Sequence, residues 1–395
     1  MKSVAIIGGG PAGATAAERL LSIRSARGGE AWCVTVFEEN PGWEKPCGGG
    51  LTTKTIQRYP YLMDVTAPHF RVEEAEIVAA SGDAVRFRLR APLLIYSRRV
   101  LNHVLLQRAQ SAGARVVQDH ILSFAREGSA WRLEGRTGEY RADFLILASG
   151  ARSGLRKLLA PPIRARDLLL TFGYFAPRTS TVLRVCFFKD FEGYAWAFPR
   201  PDHVSVGIAG RMGENDMPGL QRRLNDFIRR HGYTSQHAPV FAHILPALGP
   251  TRWREMPLSG DGWAILGDAG GLVDPLTGEG IYFAMRSAEI LAQSLLSECP
   301  QAYAYHVWRE FGSRHEMGAR LAHRFYLTNF WGKPVTTRMV EFCSRSRAFM
   351  ALLQDLFEGT QTYAGLPRRM YATLPKGMME IAAEAVKKKL SAARP

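Results

Sequence analysis

The chain opens on the stretch VAIIGGGPAGAT at residues 4–15, in which an apolar tetrapeptide runs directly into three glycines. Val4 to Ile7 has the composition of a buried strand, and the pattern that follows predicts a helix to about Ala26. A second apolar strand is predicted from Cys33 to Phe37. The order strand, glycine turn, helix, strand is typical of a βαβ unit and predicts a parallel sheet.

The glycines of this turn have the spacing G-x-G-x-x-G. Gly8 permits the tight turn, Gly10 lets the backbone approach a pyrophosphate, and Gly13 allows the helix to pack closely. The helix N-terminus offers unpaired N–H donors at the same place. Glu38, at the end of the second strand, is placed to accept hydrogen bonds from ribose hydroxyls. Strand, turn, helix and acid together predict a dinucleotide site.

A second glycine-and-acid site lies far along the chain. The apolar strand predicted from Trp263 to Leu266 ends in Gly267-Asp268, and a helix is predicted from about Gly278 to Ser297. Asp268 is placed to hydrogen-bond a ribityl hydroxyl of a flavin, and the helix N-terminus favours the negative charge of a reduced flavin ring. The alternative is an ordinary strand, turn and helix in which the aspartate is only a cap.

Length and composition narrow the classes of protein to which the chain can belong. At 395 residues and 46% hydrophobic content, the chain has enough apolar side chains for two or three domains. No apolar run approaches the roughly 18 residues of a spanning helix. Five scattered cysteines have no disulfide or zinc spacing, and the histidines indicate no metal. We therefore expect a cytoplasmic protein.

The formal net charge of +15 leaves several partners open. It fits a membrane surface, a diphosphate substrate or ordinary solubility. No sequence feature singles out nucleic acid, and we expect none as a partner. The basic, partly apolar stretch from Met378 to Leu390 is a candidate for peripheral contact with a membrane, or for a helix docked on its own domain.

Several further stretches carry a family resemblance: the glycine triplet with Glu38, residues 97–102 (SRRVLN), residues 148–153 (ASGARS), and Gly267-Asp268 with Asp274-Pro275. In these the chain resembles the FAD-dependent oxidoreductases of the para-hydroxybenzoate hydroxylase fold, and within them the geranylgeranyl reductase family. The resemblance covers roughly the first 300 residues. It implies FAD as the cofactor and Arg98 as one of its contacts. From the residues alone, Arg98 is a basic group at a helix start, where the helix dipole disfavours it unless an anion is near.

Two segments point to the reductase branch: KPCGGG at residues 45–50 and YAWAFP at residues 194–199. The YAWAFP segment resembles that family's P-x-x-Y-x-W-x-F-P signature, with Phe191 in place of the first proline. Ser149 precedes Gly150, where the wider fold commonly has an aspartate before this glycine. These departures bear on the substrate rather than on the cofactor.

Aromatic side chains recur at every second position of the YAWAFP segment. On a strand, this spacing places Tyr194, Trp196 and Phe198 on one face. Their rings suit an extended apolar substrate, although aromatic residues on strands are also common in simple cores. We therefore propose all three as substrate contacts, and Tyr194 and Trp196 also as candidate catalytic residues.

Cys47 is a further candidate catalytic residue. It lies in a loop whose glycines let a large planar group approach the backbone. The resemblance implies a place near the active site, where the thiol would donate a proton, gate access or shape the pocket. A structural cysteine in a turn is the alternative.

The expected fold class is α/β, with a Rossmann-like FAD-binding domain interrupted by an antiparallel-sheet substrate domain and followed by a C-terminal helical region. The FAD-binding domain is assigned to residues 1–66, 97–160 and 258–300, the substrate domain to 67–96 and 161–257, and the helical region to 301–395. The candidate cofactor-binding residues are Gly8, Gly10, Pro11, Ala12, Gly13, Glu38, Cys47, Gly48, Gly49, Arg98, Gly150, Gly267, Asp268, Gly278, Gly280 and Ile281.

The resemblance implies a reductase that saturates carbon–carbon double bonds of an isoprenoid chain with hydride from reduced FAD. A second glycine fingerprint for a nicotinamide is not seen in the sequence, so NAD(P)H or ferredoxin would bind transiently as electron donor. Two alternatives remain open. One is a flavin-dependent monooxygenase or halogenase acting on an aromatic substrate, and the other is a flavin-bound scaffold without catalysis.

Overall fold

The computed structural model describes residues 2–26, 32–63 and 66–392. The chain forms two compact units, each assembled from three stretches of sequence. The first unit comprises Met1–Pro46, Ser97–Leu170 and His243–Ala319. The second unit comprises Cys47–Tyr96, Thr171–Ala242 and Arg320–Pro395.

The strands, in chain order, are β1 Lys2–Ile7, β2 Trp32–Phe37, β3 Gly50–Leu51, β4 His69–Val78, β5 Ala84–Tyr96, β6 Arg115–Val117, β7 Ile121–Glu127, β8 Ala130–Gly135, β9 Glu139–Ala142, β10 Phe144–Leu147, β11 Leu168–Pro177, β12 Leu183–Cys186, β13 Gly193–Pro199, β14 His203–Arg211, β15 Val240–Pro246, β16 Ser259–Gly260, β17 Trp263–Ile265, β18 Asn329–Phe330 and β19 Lys333–Pro334.

The α-helices are α1 Pro11–Ala26, α2 Thr53–Arg58, α3 Arg98–Ser111, α4 Met217–Arg230, α5 Arg252–Glu255, α6 Ile281–Leu296, α7 Ala302–Val307, α8 Ser313–Leu327, α9 Val335–Arg345, α10 Arg347–Phe357 and α11 Leu366–Ala392. A π-helical turn, Trp308–Gly312, joins α7 to α8. In the described part of the chain, no helix is long and apolar enough to cross a bilayer.

The first unit is built on a six-stranded sheet in the order β16-β17-β10-β1-β2-β6. The strands β17, β10, β1, β2 and β6 run parallel, as expected when helices connect them. Helix α1 packs between α3 and α6. The central strands are apolar on both faces because both faces of such a sheet are covered.

A small three-stranded sheet, β7-β8-β9, also belongs to the first unit. Its apolar side chains share one core with the central sheet. That core includes Ala5, Ile7, Phe37, Ile121, Phe124, Trp131, Leu133, Ala142, Leu145 and Leu147. The sequence analysis did not separate these strands from the cofactor domain, and they add a layer to it.

The second unit is built on an eight-stranded sheet in the order β15-β11-β14-β13-β12-β4-β5-β3. Alternate residues of β5 are buried from Val85 to Leu89, which matches the polar and apolar alternation of its sequence. Helix α4 packs on β14, and its N-terminus is capped by the Asp216 carboxylate, which accepts from the Gly219 N–H at 2.8 Å. Strands β4, β5 and β11 to β15 lie within residues 67–96 and 161–257, the stretches assigned to an antiparallel sheet, but β12 runs parallel to β4.

Three C-terminal helices, α9, α10 and α11, pack on one another in the second unit. Asp355 joins them to the sheet, because its carboxylate pairs with both Arg90 and Arg369. The region after Gln301 is helical as predicted, apart from the hairpin of β18 and β19. The α/β fold class with a C-terminal helical region is thus confirmed.

Candidate cofactor and substrate sites

The glycine turn after β1 has the geometry that its spacing predicts. Gly8 has a φ of 104°, and a Cβ there would lie 2.5 Å from the carbonyl oxygen of Ala148. A Cβ on Gly13 would lie 1.9 Å from the carbonyl oxygen of Gly8, so α1 can approach the turn only with glycine at this position. A Cβ on Gly10 would meet no atom within 4 Å. The backbone at Gly10 is therefore open to a ligand.

Glu38 lies beside this turn. Its Oε2 accepts a hydrogen bond from the Gly9 N–H at 2.7 Å, and its Oε1 accepts from the Asn40 N–H at 2.9 Å. The end of β2 thus brings the carboxylate to the turn, as expected for a residue that receives the ribose.

The distant glycine-and-acid site folds onto the same turn. Gly267 has a φ of 55°, and a Cβ there would lie 3.1 Å from the Cβ atoms of both Ala12 and Ala284. Asp268 Oδ1 would lie 3.2 Å from a Cβ on Gly280, the residue that precedes α6. The start of α1, the turn at Gly267 and the start of α6 at Ile281 therefore adjoin one another.

Gly278 closes the loop before α6. Its N–H donates to the Asp274 carbonyl oxygen at 2.8 Å, and its φ of 72° favours glycine. The Asp274 carboxylate is fully buried, and its Oδ1 accepts from the N–H groups of Leu276 and Thr277. This loop delivers the N-terminus of α6 to the site, as the sequence predicts.

An ion pair that the sequence analysis did not anticipate holds Asp268. The Lys45 Nζ lies 2.7 Å from Asp268 Oδ2, and both side chains are largely buried. Burial opposes the charged carboxylate, but the charge and hydrogen bond of Lys45, together with the charge of Arg98, outweigh burial and keep the pKa of Asp268 below its usual range. Asp268 is therefore held as an anion with one oxygen engaged by Lys45.

Arg98 begins α3, and its side chain is 4% exposed. The Glu44 carboxylate accepts from Ser97 Oγ and from the N–H groups of Arg98 and Arg99. Glu44 thus supplies an anion that the helix N-terminus favours. The Arg98 side chain, in contrast to its backbone N–H, is not fully satisfied: among the described residues its Nε has no hydrogen-bond partner.

These features fit an anionic dinucleotide. Gly150 has a φ of 76°, and a Cβ there would meet no atom within 4 Å, as at Gly10. Ser149 Oγ, like Arg98 Nε, is buried and lacks a partner within the described chain. Polar groups buried in this way are normally satisfied, so a bound group with phosphate and hydroxyl oxygens would satisfy them. Among the proposed FAD contacts of the first unit, Gly10 and Gly150 therefore adjoin open space, and Arg98 carries an unsatisfied polar atom.

In the second unit, the Cys47 loop is anchored by two side chains. The Cys47 carbonyl oxygen accepts from Arg200 Nη2 at 2.5 Å and from Ser205 Oγ at 3.0 Å. Its Sγ accepts from the Gly49 N–H at 3.3 Å. Gly49 has a φ of 80°, and a Cβ there would lie 2.0 Å from the Tyr96 carbonyl oxygen, so the loop requires glycine at this position.

The aromatic residues of β13 alternate along the strand as predicted, and each has a different environment. Trp196 is buried and covers Gly207, and its Nε1 donates to Ser205 Oγ at 3.4 Å. The Phe198 ring lies 2.6 Å from where a Cβ on Gly48 would be, so it supports the Cys47 loop. Tyr194 is half-buried, with its ring edge toward Trp196. Trp196 therefore packs mainly as core.

Lys45, Glu44 and Arg200 are site residues that the sequence analysis missed. Lys45 begins the recognised segment KPCGGG, Glu44 precedes that segment, and Arg200 directly follows Pro199. A buried ion pair or a tether to a carbonyl oxygen leaves no periodic pattern in a sequence. Only their position next to a recognised segment could have marked them.

Comparison with known proteins gives two kinds of likeness. No protein-family model matches the chain. It is 27% identical over 322 residues to a protein of Arabidopsis thaliana named geranylgeranyl diphosphate reductase, chloroplastic. The match covers 74% of this chain and 65% of the relative, so it spans less than two thirds of the relative's length.

Solved structures share the fold. A geranylgeranyl bacteriochlorophyll reductase-like protein of Thermoplasma acidophilum superposes with a TM-score of 0.76, at 20% identity, over 94% of this chain and 99% of that one. The flavin-dependent brominase Bmp2 superposes with a TM-score of 0.68, at 18% identity, over 91% of this chain and 93% of that one.

Fold and relatives together are those of flavin-dependent oxidoreductases, which confirms FAD as the predicted cofactor. Within that class the chain is similar in sequence to proteins named geranylgeranyl diphosphate reductase, as its motifs indicate. The roles of the individual site residues stay predictions.

Proposed function

We propose that the protein saturates carbon–carbon double bonds of an isoprenoid chain. The observation that carries this proposal is the group formed in the second unit by β13 and the Cys47 loop. There Phe198 lies against Gly48, and Arg200 holds the Cys47 carbonyl oxygen. Aromatic rings beside a glycine-rich loop suit an extended apolar substrate. The name of the Arabidopsis relative supports an isoprenoid of the geranylgeranyl type.

The cofactor would be held by the first unit through its open and unsatisfied groups. We propose that the backbone at Gly10 adjoins the pyrophosphate, Glu38 the ribose, and Asp268 a ribityl hydroxyl. Arg98 would donate to a phosphate oxygen through its unsatisfied Nε. When bound and reduced, FAD supplies the hydride for the double bond. Cys47, Gly48 and Gly49 also remain proposed contacts of the cofactor.

Saturation of a double bond needs a proton in addition to the hydride, and a side chain would supply that proton. We propose Cys47 for this role. Its Sγ accepts the Gly49 N–H, which leaves its own S–H to donate elsewhere. Tyr194 is the second candidate donor, because its half-buried side chain carries a hydroxyl on β13.

A cysteine-to-alanine replacement tests this role. We expect Cys47→Ala to slow turnover at least tenfold while bound FAD and the melting temperature stay close to wild type, because the loop is held through the Cys47 carbonyl oxygen. Cys299→Ala, at an exposed cysteine, is the matched control. Unchanged turnover in Cys47→Ala would reduce this residue to a structural part of the loop.

Two further proposals concern the electron donor and the location of the protein. We propose a transient donor, NAD(P)H or ferredoxin, and a place in lipid metabolism. Because isoprenoid chains partition into bilayers, we also propose that the protein works at a membrane surface.

A flavin-dependent monooxygenase or halogenase is the second candidate, and the Bmp2 fold favours it. One experiment separates the two. The purified protein is reduced without oxygen, offered geranylgeranyl diphosphate, and the products are weighed. A gain of two hydrogens per double bond supports the reductase. A gain of oxygen or halogen only after air is admitted, with an aromatic substrate, supports the alternative.

A further inference from the structure

Two aromatic side chains lie exposed at the tip of the β18–β19 hairpin. Phe330 is 43% exposed and Trp331 is 65% exposed, and their rings stack with centroids 4.6 Å apart. Trp331 has a φ of 49°, which is uncommon for a bulky residue. A large ring held outward in a strained conformation points to a function at the surface.

Helix α11 presents an apolar face to solvent. Of its exposed apolar side chains, Tyr371, Leu374 and Met378 follow one another at three- and four-residue spacing and share one side of the helix. Met370 and Met379 lie at the two edges of this face, and Val386 lies two turns further along. The opposite side is occupied within the second unit: Gly377 packs on the Phe349 ring, and Glu380 accepts from Ser346 Oγ.

A column of aromatic rings connects the hairpin to this helix. Phe342 meets both hairpin rings edge-on, with centroids 6.5 Å from Phe330 and 6.4 Å from Trp331. Phe342 stacks on Phe349 at 5.3 Å, and Phe349 supports Gly377. Phe342, Phe349 and Gly377 thus link the hairpin to α11 inside the second unit. We call the exposed rings of the hairpin and the exposed side chains of α11 together the terminal patch: Phe330, Trp331, Tyr371, Leu374, Met378 and Met379.

The charge around the terminal patch is strongly positive. Residues 320–395 contain thirteen Lys and Arg against five Asp and Glu. Four of the five acids are engaged inside the unit: Glu341 by Lys333 and Arg338, Asp355 by Arg90 and Arg369, Glu358 by the Arg90 N–H, and Glu380 by Ser346. Cations therefore exceed acids in this part of the chain, and exposed ones such as Arg345, Arg347 and Lys376 add to the positive charge at the surface.

We propose that the terminal patch docks on an anionic lipid surface. Aromatic rings at a hairpin tip, an amphipathic helix and an excess of positive charge together fit the boundary between headgroups and acyl chains. The positive charge also disfavours a second copy of the same patch as the partner. The inference rests on the proposed place at a membrane, but it needs none of the redox chemistry.

Vesicle flotation of the full-length flavoprotein tests the proposal. We expect binding to vesicles of equal parts phosphatidylglycerol and phosphatidylcholine, little binding to phosphatidylcholine alone, and weaker binding at high salt. Phe330→Ser with Trp331→Asn should reduce the partition coefficient at least tenfold, and asparagine tolerates the positive φ at position 331. Each of Arg345→Gln, Arg347→Gln and Lys376→Gln should reduce it about fivefold.

Leu122→Ser is the matched control, because Leu122 is exposed in the first unit, outside the patch. It should bind like wild type. Thermal melts and flavin absorbance check that every variant is folded. Equal loss in Leu122→Ser, or no preference for anionic vesicles in the wild type, would overturn the inference. So would concentration-dependent dimerisation that the patch variants abolish, because the patch would then pair with a second copy.

Turnover of a detergent-dispersed isoprenoid, measured on the same proteins, separates this proposal from the reductase. Lipid binding without turnover contradicts the reductase alone. Turnover without lipid binding contradicts the docking surface alone. The patch variants should keep wild-type turnover in detergent, since the substitution sites lie outside the proposed catalytic residues.

Discussion

At the scale of single residues, two positions of one turn favour glycine for different reasons. Gly13 is required by the fold, because a Cβ there would overlap the Gly8 carbonyl oxygen, whereas Gly10 has open space around it. We expect Gly13→Ala to destabilise the protein even without FAD. Gly10→Ala should leave the melting temperature of the apoprotein within a degree or so and weaken FAD binding at least tenfold, because its methyl group occupies space that the ligand needs.

Fluorescence titration with FAD and melts of the apoprotein measure the two effects. Gly154→Ala is the control, because a Cβ at Gly154 also meets nothing within 4 Å and its φ is not positive. If Gly10→Ala binds FAD like Gly154→Ala, the pyrophosphate does not approach the backbone here.

A buried histidine gives a prediction about pH. Burial lowers the pKa of His243 to about 3, and the Lys45 ammonium acts in the same direction. The folded protein therefore keeps this imidazole neutral where the unfolded chain, with a pKa near 6.5, binds a proton. This histidine should lower the free energy of unfolding by up to about 1.4 kcal/mol for each pH unit below 6.5 and down to about 3.

Urea unfolding between pH 7 and pH 4 measures this slope. His243→Gln should have a shallower dependence than wild type, and His323→Gln, at an exposed histidine, should retain the full slope. Parallel profiles for wild type and His243→Gln would show that His243 is protonated in the folded protein.

At the scale of elements, β13 and the Cys47 loop pack directly on each other. A Cβ on Gly48 would lie 2.6 Å from the Phe198 ring, so Gly48→Ala should cost about 1–3 kcal/mol of stability through overpacking. Phe198→Leu gives up part of the ring's volume and should relieve that overlap. We expect the double variant to be more stable than the sum of the single effects predicts, as a double-mutant cycle would show. Strictly additive effects would mean that the loop moves away from the strand.

The sequence predicts individual strands and turns, but it does not predict which distant residues they contact. Period-two aromatics predict β13, and the glycine triplet predicts the turn after β1, because each pattern is local. Lys45 pairs with a residue more than two hundred positions later, and Arg200 holds a carbonyl oxygen of a distant loop. Such pairings depend on which strands become neighbours, and local patterns do not specify that. The small sheet β7-β8-β9 was missed for a related reason: its short strands add to a core that the longer strands already define.

At the scale of the whole molecule, the FAD-binding fold depends on contacts across most of the chain. Gly267 adjoins Ala12, although the two lie in the last and the first of the three stretches that make up the first unit. A ligand held by both stretches stabilises only the folded chain, so FAD at a hundredfold excess over its Kd should raise the free energy of unfolding by about 2.7 kcal/mol. Gly267→Ala should reduce that gain, because a methyl group at a φ of 55° strains the turn and presses on Ala12 and Ala284.

Gly128→Ala separates this effect from backbone strain alone. Gly128 has a φ of 62° and open space around it, in the turn between β7 and β8. Both variants should lose about 1–2 kcal/mol as apoproteins, because an L-residue in the left-handed region carries that cost. Only Gly267→Ala should also lose stabilisation by added FAD, as melts with and without FAD would show. An equal gain in both variants would mean that the turn at Gly267 takes no part in holding the cofactor, and the site would then rest on the N-terminal glycine turn alone.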